Sequence, residues 1–307
     1  MDKMIESAAP ETTRVRVKKK SQGKMIWNRF RKNKLAMVGL VIILIMAILS
    51  ASAGLMFDYQ ADGTAHNYKI RRMAPGSPEL PDEFRYILGT DDYGRSMAAR
   101  IFFGGRTSLS IGFAAILLSM TVGAMIGASA GYYGGRADNI IMRIMDIFLA
   151  IPNTLLAISI VAALGGSLIN LLIAMSISSV PRFARIIRSS ILSIKGQEYI
   201  EAAKACGTGD LRIILKHIIP NAIGPIIVQG TLNLASTVIS ISGLSFIGLG
   251  VPPPQPEWGS MLSEARTQMR YFPHLVIIPG IAIMLSVMGL NLMGDGLRDA
   301  LDPRLKN

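Results

Sequence analysis

The sequence predicts an all-α polytopic membrane protein with six transmembrane helices. Three observations predict it. Half of the 307 residues are hydrophobic. Charged residues make up 17%, below the ~25% usual for a soluble chain. The charges also cluster, leaving uncharged runs that reach the ~20 residues a helix needs to cross a hydrocarbon layer.

Residues 1–34 hold eleven Lys/Arg against three Asp/Glu, a large part of the net charge of +12. A basic head before the first apolar run reads as a cytoplasmic anchor, because positive segments stay inside. A nucleic-acid arm would be interleaved with aromatics and would not abut a span, so no nucleic-acid partner is expected. The head is too long for a signal peptide, and the first span, 35–57, reads as uncleaved. Residues 58–106 follow with seven acidic and seven basic residues and Pro75, Pro78 and Pro81. They read as an extracytoplasmic lobe or structured loop. The second span, 107–133, repeats Ser119, Gly123, Gly127 and Gly131 every four residues, placing them on one face where another helix backbone can approach closely.

Thirty-five uncharged residues separate Asp146 from Arg182, too many for one helix. They divide into spans at 140–163 and 168–187, joined by Gly165-Gly166-Ser167. A fifth span covers 222–247, followed by the loop Val251-Pro252-Pro253-Pro254, and a sixth covers 275–294, leaving the tail 297–307. With the N-terminus inside, the 182–220 loop, seven basic against three acidic residues, falls in the cytoplasm. So does the C-terminus, while the uncharged turn after span three falls outside.

The loop over 195–220 is the candidate functional site. It reads Glu201-Ala202-Ala203-Lys204-Ala205-Cys206-Gly207, then Lys216-His217-Ile218-Ile219-Pro220. Ala202 and Ala203 remove bulk where another backbone could approach, and Gly207 permits a sharp bend. Asp210 is placed to cap a second helix, with Leu211, Ile214, Leu215 and Ile218 as its apolar stripe and Pro220 at its end. A membrane protein that carries such a helix–turn–helix on one face offers a docking surface. The alternative is an amphipathic loop lying on lipid. Cys206, the single cysteine, excludes an internal disulfide and reads as a small packing residue.

Four residues of span five, Asn233, Ser236, Thr237 and Ser240, share one helical face. They are candidates to line a path or to bond a neighbouring helix. Arg182, Arg185 and Arg188 form a stripe at the inner end of span four, suited to acidic protein surface or lipid headgroups. Trp258 reads as an interfacial belt residue or a loop anchor. No G-x-x-x-x-G-K-[S/T] occurs, so this chain has no P-loop for ATP phosphates. The three histidines are dispersed, and no catalytic or metal cluster is expected. The ionisable residues within the proposed spans, Arg143, Asp146, Arg182 and Arg185, all fall near the cytoplasmic side, which argues against a proton- or ion-coupled carrier.

The spacing from Glu201 to Pro220 resembles the EAA loop of ABC-importer permeases. Four further stretches resemble the peptide/nickel subfamily, in particular the C-type permease subunit of oligopeptide and dipeptide importers. They are Phe30-Arg31-Lys32-Asn33-Lys34-Leu35-Ala36, Leu88-Gly89-Thr90-Asp91-Asp92-Tyr93-Gly94-Arg95, Leu244-Ser245-Phe246-Ile247-Gly248-Leu249-Gly250-Val251 with Trp258-Gly259, and Gly294-Asp295-Gly296-Leu297-Arg298-Asp299 with Leu301-Asp302-Pro303-Arg304. Ser96 departs from the family's usual Asp. The resemblance implies a type I importer fold with a permease core over 107–296, in a prokaryotic cytoplasmic membrane. It implies a second homologous permease, an extracytoplasmic solute-binding protein and two cytoplasmic P-loop ATPases, which would bind the ATP and Mg. The residues it assigns to ATPase coupling are Glu201, Ala202, Ala203, Gly207, Asp210, Leu211, His217 and Pro220. Peptides are the implied cargo, with nickel, glutathione or glycosidic substrates open. A secondary carrier and an intramembrane hydrolase are the rivals from other classes.

Overall fold

A computed structural model describes residues 22–301. The head before residue 22 and the tail after residue 301, with most of the Leu301–Arg304 motif, lie outside the described residues. The described chain is helical with no strand, and five of its helices are long and apolar enough to cross a membrane, or six spans if one bent pair counts as a span.

Helix α1 (Gln22–Lys32) lies ahead of α2 (Lys34–Ala51), which Asn33 caps by accepting from the Ala36 N–H at 3.2 Å. A short α3 (Ala53–Met56) follows. The segment to residue 96 is a structured loop of π and 3-10 turns tied together by side chains. Asp91 accepts from the Tyr93 and Arg95 N–H groups at 2.9 Å each and from Arg95 Nε at 2.6 Å. Arg95 and Arg100, both almost fully buried, also reach Glu264 at 2.6 and 3.0 Å. Paired carboxylates are what allow two guanidinium groups to be buried. At the looser edge of this segment, the Glu83 and Asp62 carboxylates, accepting from Arg85, raise its guanidinium above the ordinary value.

Helix α4 (Met97–Tyr133) begins ten residues before the expected second span. Ser96 is its N-cap, accepting from the Ala99 N–H at 3.1 Å while its hydroxyl donates to the Arg85 carbonyl. An aspartate could make the first bond but, ionised, not the second, so the Ser96 departure keeps the cap and adds a tie to the loop.

The third span expected over 140–163 is two helices, α5 (Gly135–Ala150) and α6 (Asn153–Leu164), meeting at 87°. Pro152 holds Ile151 extended (φ −92°, ψ 128°) and ends α5. Helix α7 (Leu168–Ile194) packs along α4 more extensively than any other helix pair does. The small-residue ridge makes this possible. A Cβ built on Gly123 would lie 2.6 Å from Phe183 Cβ, and one on Gly127 would lie 2.3 Å from the Ala184 carbonyl oxygen.

The site segment supplies α8 (Glu198–Ala205) and α9 (Asp210–Ile213). A π turn over Ile214–Ile218 then leads directly into α10 (Ile219–Phe246). Two further helices, α11 (Trp258–Ala265) and α12 (His274–Leu301), complete the chain. Trp258 is fully buried against Gly104 and Gly105, with its Nε1 donating to the Ile101 carbonyl at 3.0 Å. It is therefore a loop anchor and not a belt residue. Two distant motifs also meet. Phe30 and Ala36 pack on Gly296, where a Cβ would fall 2.1 Å from that of Ala36, and Asn33 Nδ2 donates to Asp299 at 3.4 Å.

Candidate functional site

Helix α8 is anchored chiefly by Ile200, with Ala203 packed beside it. Ile200 is fully buried among Ile191, Ile194, Ile213 and Ile218, so the α8–α9 turn sits on the end of the α4–α7–α10 core. The turn itself is a Schellman motif: Gly207 N–H donates to the Lys204 carbonyl at 2.9 Å and Thr208 N–H to the Ala203 carbonyl at 3.1 Å. Gly207 takes φ +73°, a left-handed conformation that costs other residues free energy.

Glu201, Ala202 and Gly207 are exposed and Ala203 is half-buried. Cys206 is exposed as well, so it does not serve as packing. The expected apolar stripe divides. Ile214 and Ile218 turn into the core with Ile213, whereas Leu211 and Leu215 are 71% and 55% exposed. Those two leucines, Tyr199 and Ala202 are exposed apolar residues of the same helix–turn–helix that carries the exposed Glu201.

Asp210 is not the cap; that position belongs to Gly209. The Asp210 carboxylate instead accepts from the Tyr132 hydroxyl at 2.6 Å, and the Lys204 ammonium lies 5.1 Å from the centre of the same ring. Lys195 Nζ donates to the Gly131 carbonyl at 3.0 Å. The start of the 195–220 segment and the head of its second helix are thus bonded to the last turn of α4. Pro220 does not end its helix. It falls at the start of α10, where the π turn absorbs the missing N–H, so the segment from Asp210 to Phe246 is continuous. A displacement of the turn would be carried straight into the fifth span. His217 is half-buried, and its carbonyl accepts from Asn221 Nδ2.

The four polar residues of α10 do not share one environment. Asn233 and Thr237 are buried, Ser240 is half-buried and Ser236 is exposed. Ser240 returns its hydroxyl to the Ser236 carbonyl at 3.0 Å. Each arginine of the α7 stripe has a partner within the chain, while Arg182 and Arg185 remain exposed. Arg188 pairs with Asp138 and Arg185 with Asp146, both on α5, and Arg182 Nη1 donates to Asn233 Oδ1 at 2.9 Å. Sequence spacing could not find these pairs, because the partners come from other helices, α5 and α10, whose facing sides are set by tertiary packing. At the opposite end of the molecule, a cavity of about 680 Å³ opens between α3, α4 and the start of α7, with Asp58, Tyr59, Arg106 and Gln255 in its wall. Among the described residues no cluster of His, Cys, Asp and Glu could hold a metal.

Residues 123–307 match the family described as binding-protein-dependent transport system inner membrane component, and residues 21–75 match the N-terminal TM domain of oligopeptide transport permease C. The dipeptide transport system permease protein DppC of Alkalihalophilus pseudofirmus is 45% identical over 281 residues, covering 92% of this chain and 90% of its own length. The di/tripeptide transport system permease protein DppC of Pseudomonas aeruginosa is 40% identical, with 92% and 93% covered. The glutathione transport system permease protein GsiD of Pectobacterium atrosepticum is also 40% identical, with 92% and 91% covered. In three dimensions, a chain of the MetNI methionine ABC transporter in an inward-facing conformation superposes with a TM-score of 0.54 at 18% identity, over 66% of this chain and 96% of that one. That likeness concerns the fold alone.

Proposed function

This chain belongs to the family of binding-protein-dependent transport system inner membrane components, the permease subunits of ABC importers, and from that premise we propose that it carries short peptides across the cytoplasmic membrane as one half of a translocation pathway. The observation that supports the coupling role is that Glu201, Ala202, Leu211 and Leu215 are all exposed on a helix–turn–helix whose second helix runs unbroken into the fifth span. A second, homologous permease would supply the other half of the path. Two P-loop ATPases would grip the turn and a solute-binding protein would deliver cargo at the opposite face. ATP and Mg would be bound on those ATPase chains.

Mechanically, closure of the ATPases on ATP would push the turn. Ile200 and the Tyr132–Asp210 bond would prevent it from sliding over the core, so the push would tilt α10 and α4 together. Hydrolysis would release them. Both termini and the turn would face the cytoplasm, and the 58–96 loop with its neighbouring cavity would face the binding protein.

Short peptides are the favoured cargo because relatives across most of the chain are named for dipeptides and di/tripeptides. Glutathione, itself a tripeptide with an isopeptide link, is the second reading, on the relatives named for it. The test is reconstitution of the complete complex in proteoliposomes with labelled dipeptide. Uptake that requires ATP and the binding protein supports the reading. Uptake driven by a proton or sodium gradient without ATP would establish a secondary carrier instead.

A further inference from the structure

Helix α4 sets the level of the 680 Å³ cavity against the membrane. From Arg106, in the cavity wall, to the helix end at Tyr133 is about 40 Å at ~1.5 Å per residue. A bilayer with its headgroups is about 40–45 Å thick. With Tyr133 at the cytoplasmic surface, Arg106 stands at the level of the opposite headgroups. The turns of α4 before it project further, where Ala98, Ala99 and Phe103 pack with Ala53, Phe57 and Leu88.

The cavity wall changes character along that axis. Around Arg106 it is polar, with Asp58 and Tyr59 just past the end of α3 and Gln255 from the loop after α10. Deeper in, it is Ile111 and Ala114 of α4 with Leu168 and Leu172 of α7. Below Ala114 the same face of α4 carries Leu117 and Leu118, 53% and 42% exposed. Leu117 lies about 16 Å below Arg106 along the helix, close to the depth of one leaflet's hydrocarbon, about 15 Å. The hydroxyl that follows on this face, Thr121, is returned to the Leu117 carbonyl at 2.8 Å. A peptide would find no polar continuation inward, whereas an acyl chain would find an apolar furrow.

The two charges in the wall are free. Arg95, Arg100, Arg185 and Arg188 all have carboxylates. Arg106 is exposed and has no ion-pair partner among the described residues. Asp58 shares the cavity without pairing to it. Its Oδ1 accepts from the Gln60 and Ala61 N–H groups at 2.8 Å each, and no cation of the described residues reaches its carboxylate. A guanidinium offers two parallel N–H bonds to a phosphate, and a carboxylate accepts from an ammonium. An unpaired cation and an unpaired anion above an apolar furrow are the complement of a zwitterionic headgroup on an acyl chain.

We propose that this cavity binds one phospholipid of the outer leaflet, with its phosphate on Arg106, a headgroup ammonium on Asp58 and an acyl chain along Ile111, Ala114 and Leu172. The leaflet follows from the orientation proposed above; the site does not depend on the cargo. Asp58 selects for an ethanolamine headgroup and against phosphatidylglycerol, whose net negative charge it repels. Seated there, the lipid ties the outer ends of α3, α4 and α7 together.

The test titrates the complete importer complex in detergent with phosphatidylethanolamine or phosphatidylglycerol and counts bound lipids by native mass spectrometry. The wild type should hold one phosphatidylethanolamine more tightly than any phosphatidylglycerol. Arg106→Gln should weaken that lipid about tenfold or more, the scale of a lost charge-assisted hydrogen bond. Asp58→Asn keeps the Oδ1 acceptor of the turn and should erase the preference between the two lipids. Ala114→Phe fills the furrow with Arg106 intact and should weaken both. Unchanged binding in Arg106→Gln and Ala114→Phe would overturn the site. One-for-one displacement of the lipid by alanylalanine would give the cavity to cargo instead, and a missing permease subunit in the Arg106→Gln spectra would make Arg106 an interface ion; either result refutes the proposal.

Discussion

Replacing Gly127 with alanine tests whether the α4–α7 contact organises the fold. An ideal Cβ at this position lies 2.3 Å from the Ala184 carbonyl oxygen, 3.0 Å from its carbon and 3.1 Å from its Cα. All three are backbone atoms of α7, so no rotamer change relieves the clash. Reaching ordinary contact requires the helices to part by about 1 Å, loosening Phe183, Ile187 and Ile191, each fully buried. Overpacking of this kind costs ~1–3 kcal/mol, and the upper half applies where the opposing atoms are backbone. Alanine's better helix propensity returns up to ~1 kcal/mol. The net loss is about 1–2 kcal/mol. Gly243 is the internal control: it is helical, exposed and has nothing within 4 Å of a built Cβ, so Gly243→Ala keeps the propensity gain without the clash. The assay heats detergent-solubilised protein and follows the surviving monodisperse peak by size-exclusion chromatography. Gly127→Ala should lower the midpoint by roughly 3–6 °C, and Gly243→Ala should leave it level or raise it. If Gly127→Ala proves as stable as Gly243→Ala, the close approach does not carry the stability assigned to it.

Three further outcomes follow from the same structure. Gly207→Val places a β-branched residue at φ +73°, costing about 1–2 kcal/mol at the turn, and with Glu201→Lys it should abolish binding-protein-stimulated ATP hydrolysis in the complex while membrane insertion is retained; wild-type hydrolysis in both would remove the turn from the coupling role. Trp258→Ala opens a cavity at a fully buried site and loses the bond to the Ile101 carbonyl, so stability measured by the same heating assay should drop by ~3–5 kcal/mol. Cys206, the single cysteine and exposed, should react with a membrane-permeant maleimide but not with an impermeant one added to intact cells; labelling by the impermeant reagent would invert the topology.

Much of this molecule is legible in its sequence because membrane solvent makes the sequence explicit. Uncharged runs long enough to span, the basic bias of the 182–220 loop and the four-residue spacing of Ser119, Gly123, Gly127 and Gly131 each follow from local chemistry alone. The turn at Gly207 was legible for the same reason, since a glycine after a short helix has few other uses. What periodicity could not supply is the direction in which a polar side chain finds its partner. The spacing joined Leu211 to Ile214 as one stripe, but the core admits only Ile213, Ile214 and Ile218, leaving Leu211 and Leu215 uncovered. Asp210 read as a cap, yet Tyr132, 78 residues earlier, takes its carboxylate. Composition and local spacing by themselves determined a membrane-spanning helical chain with a helix–turn–helix over 195–220. Only the packing of α5 and α10 against α7 decided that Arg188 meets Asp138, Arg185 meets Asp146 and Arg182 meets Asn233, because such pairing depends on how helices far apart in sequence face one another, which no single segment encodes.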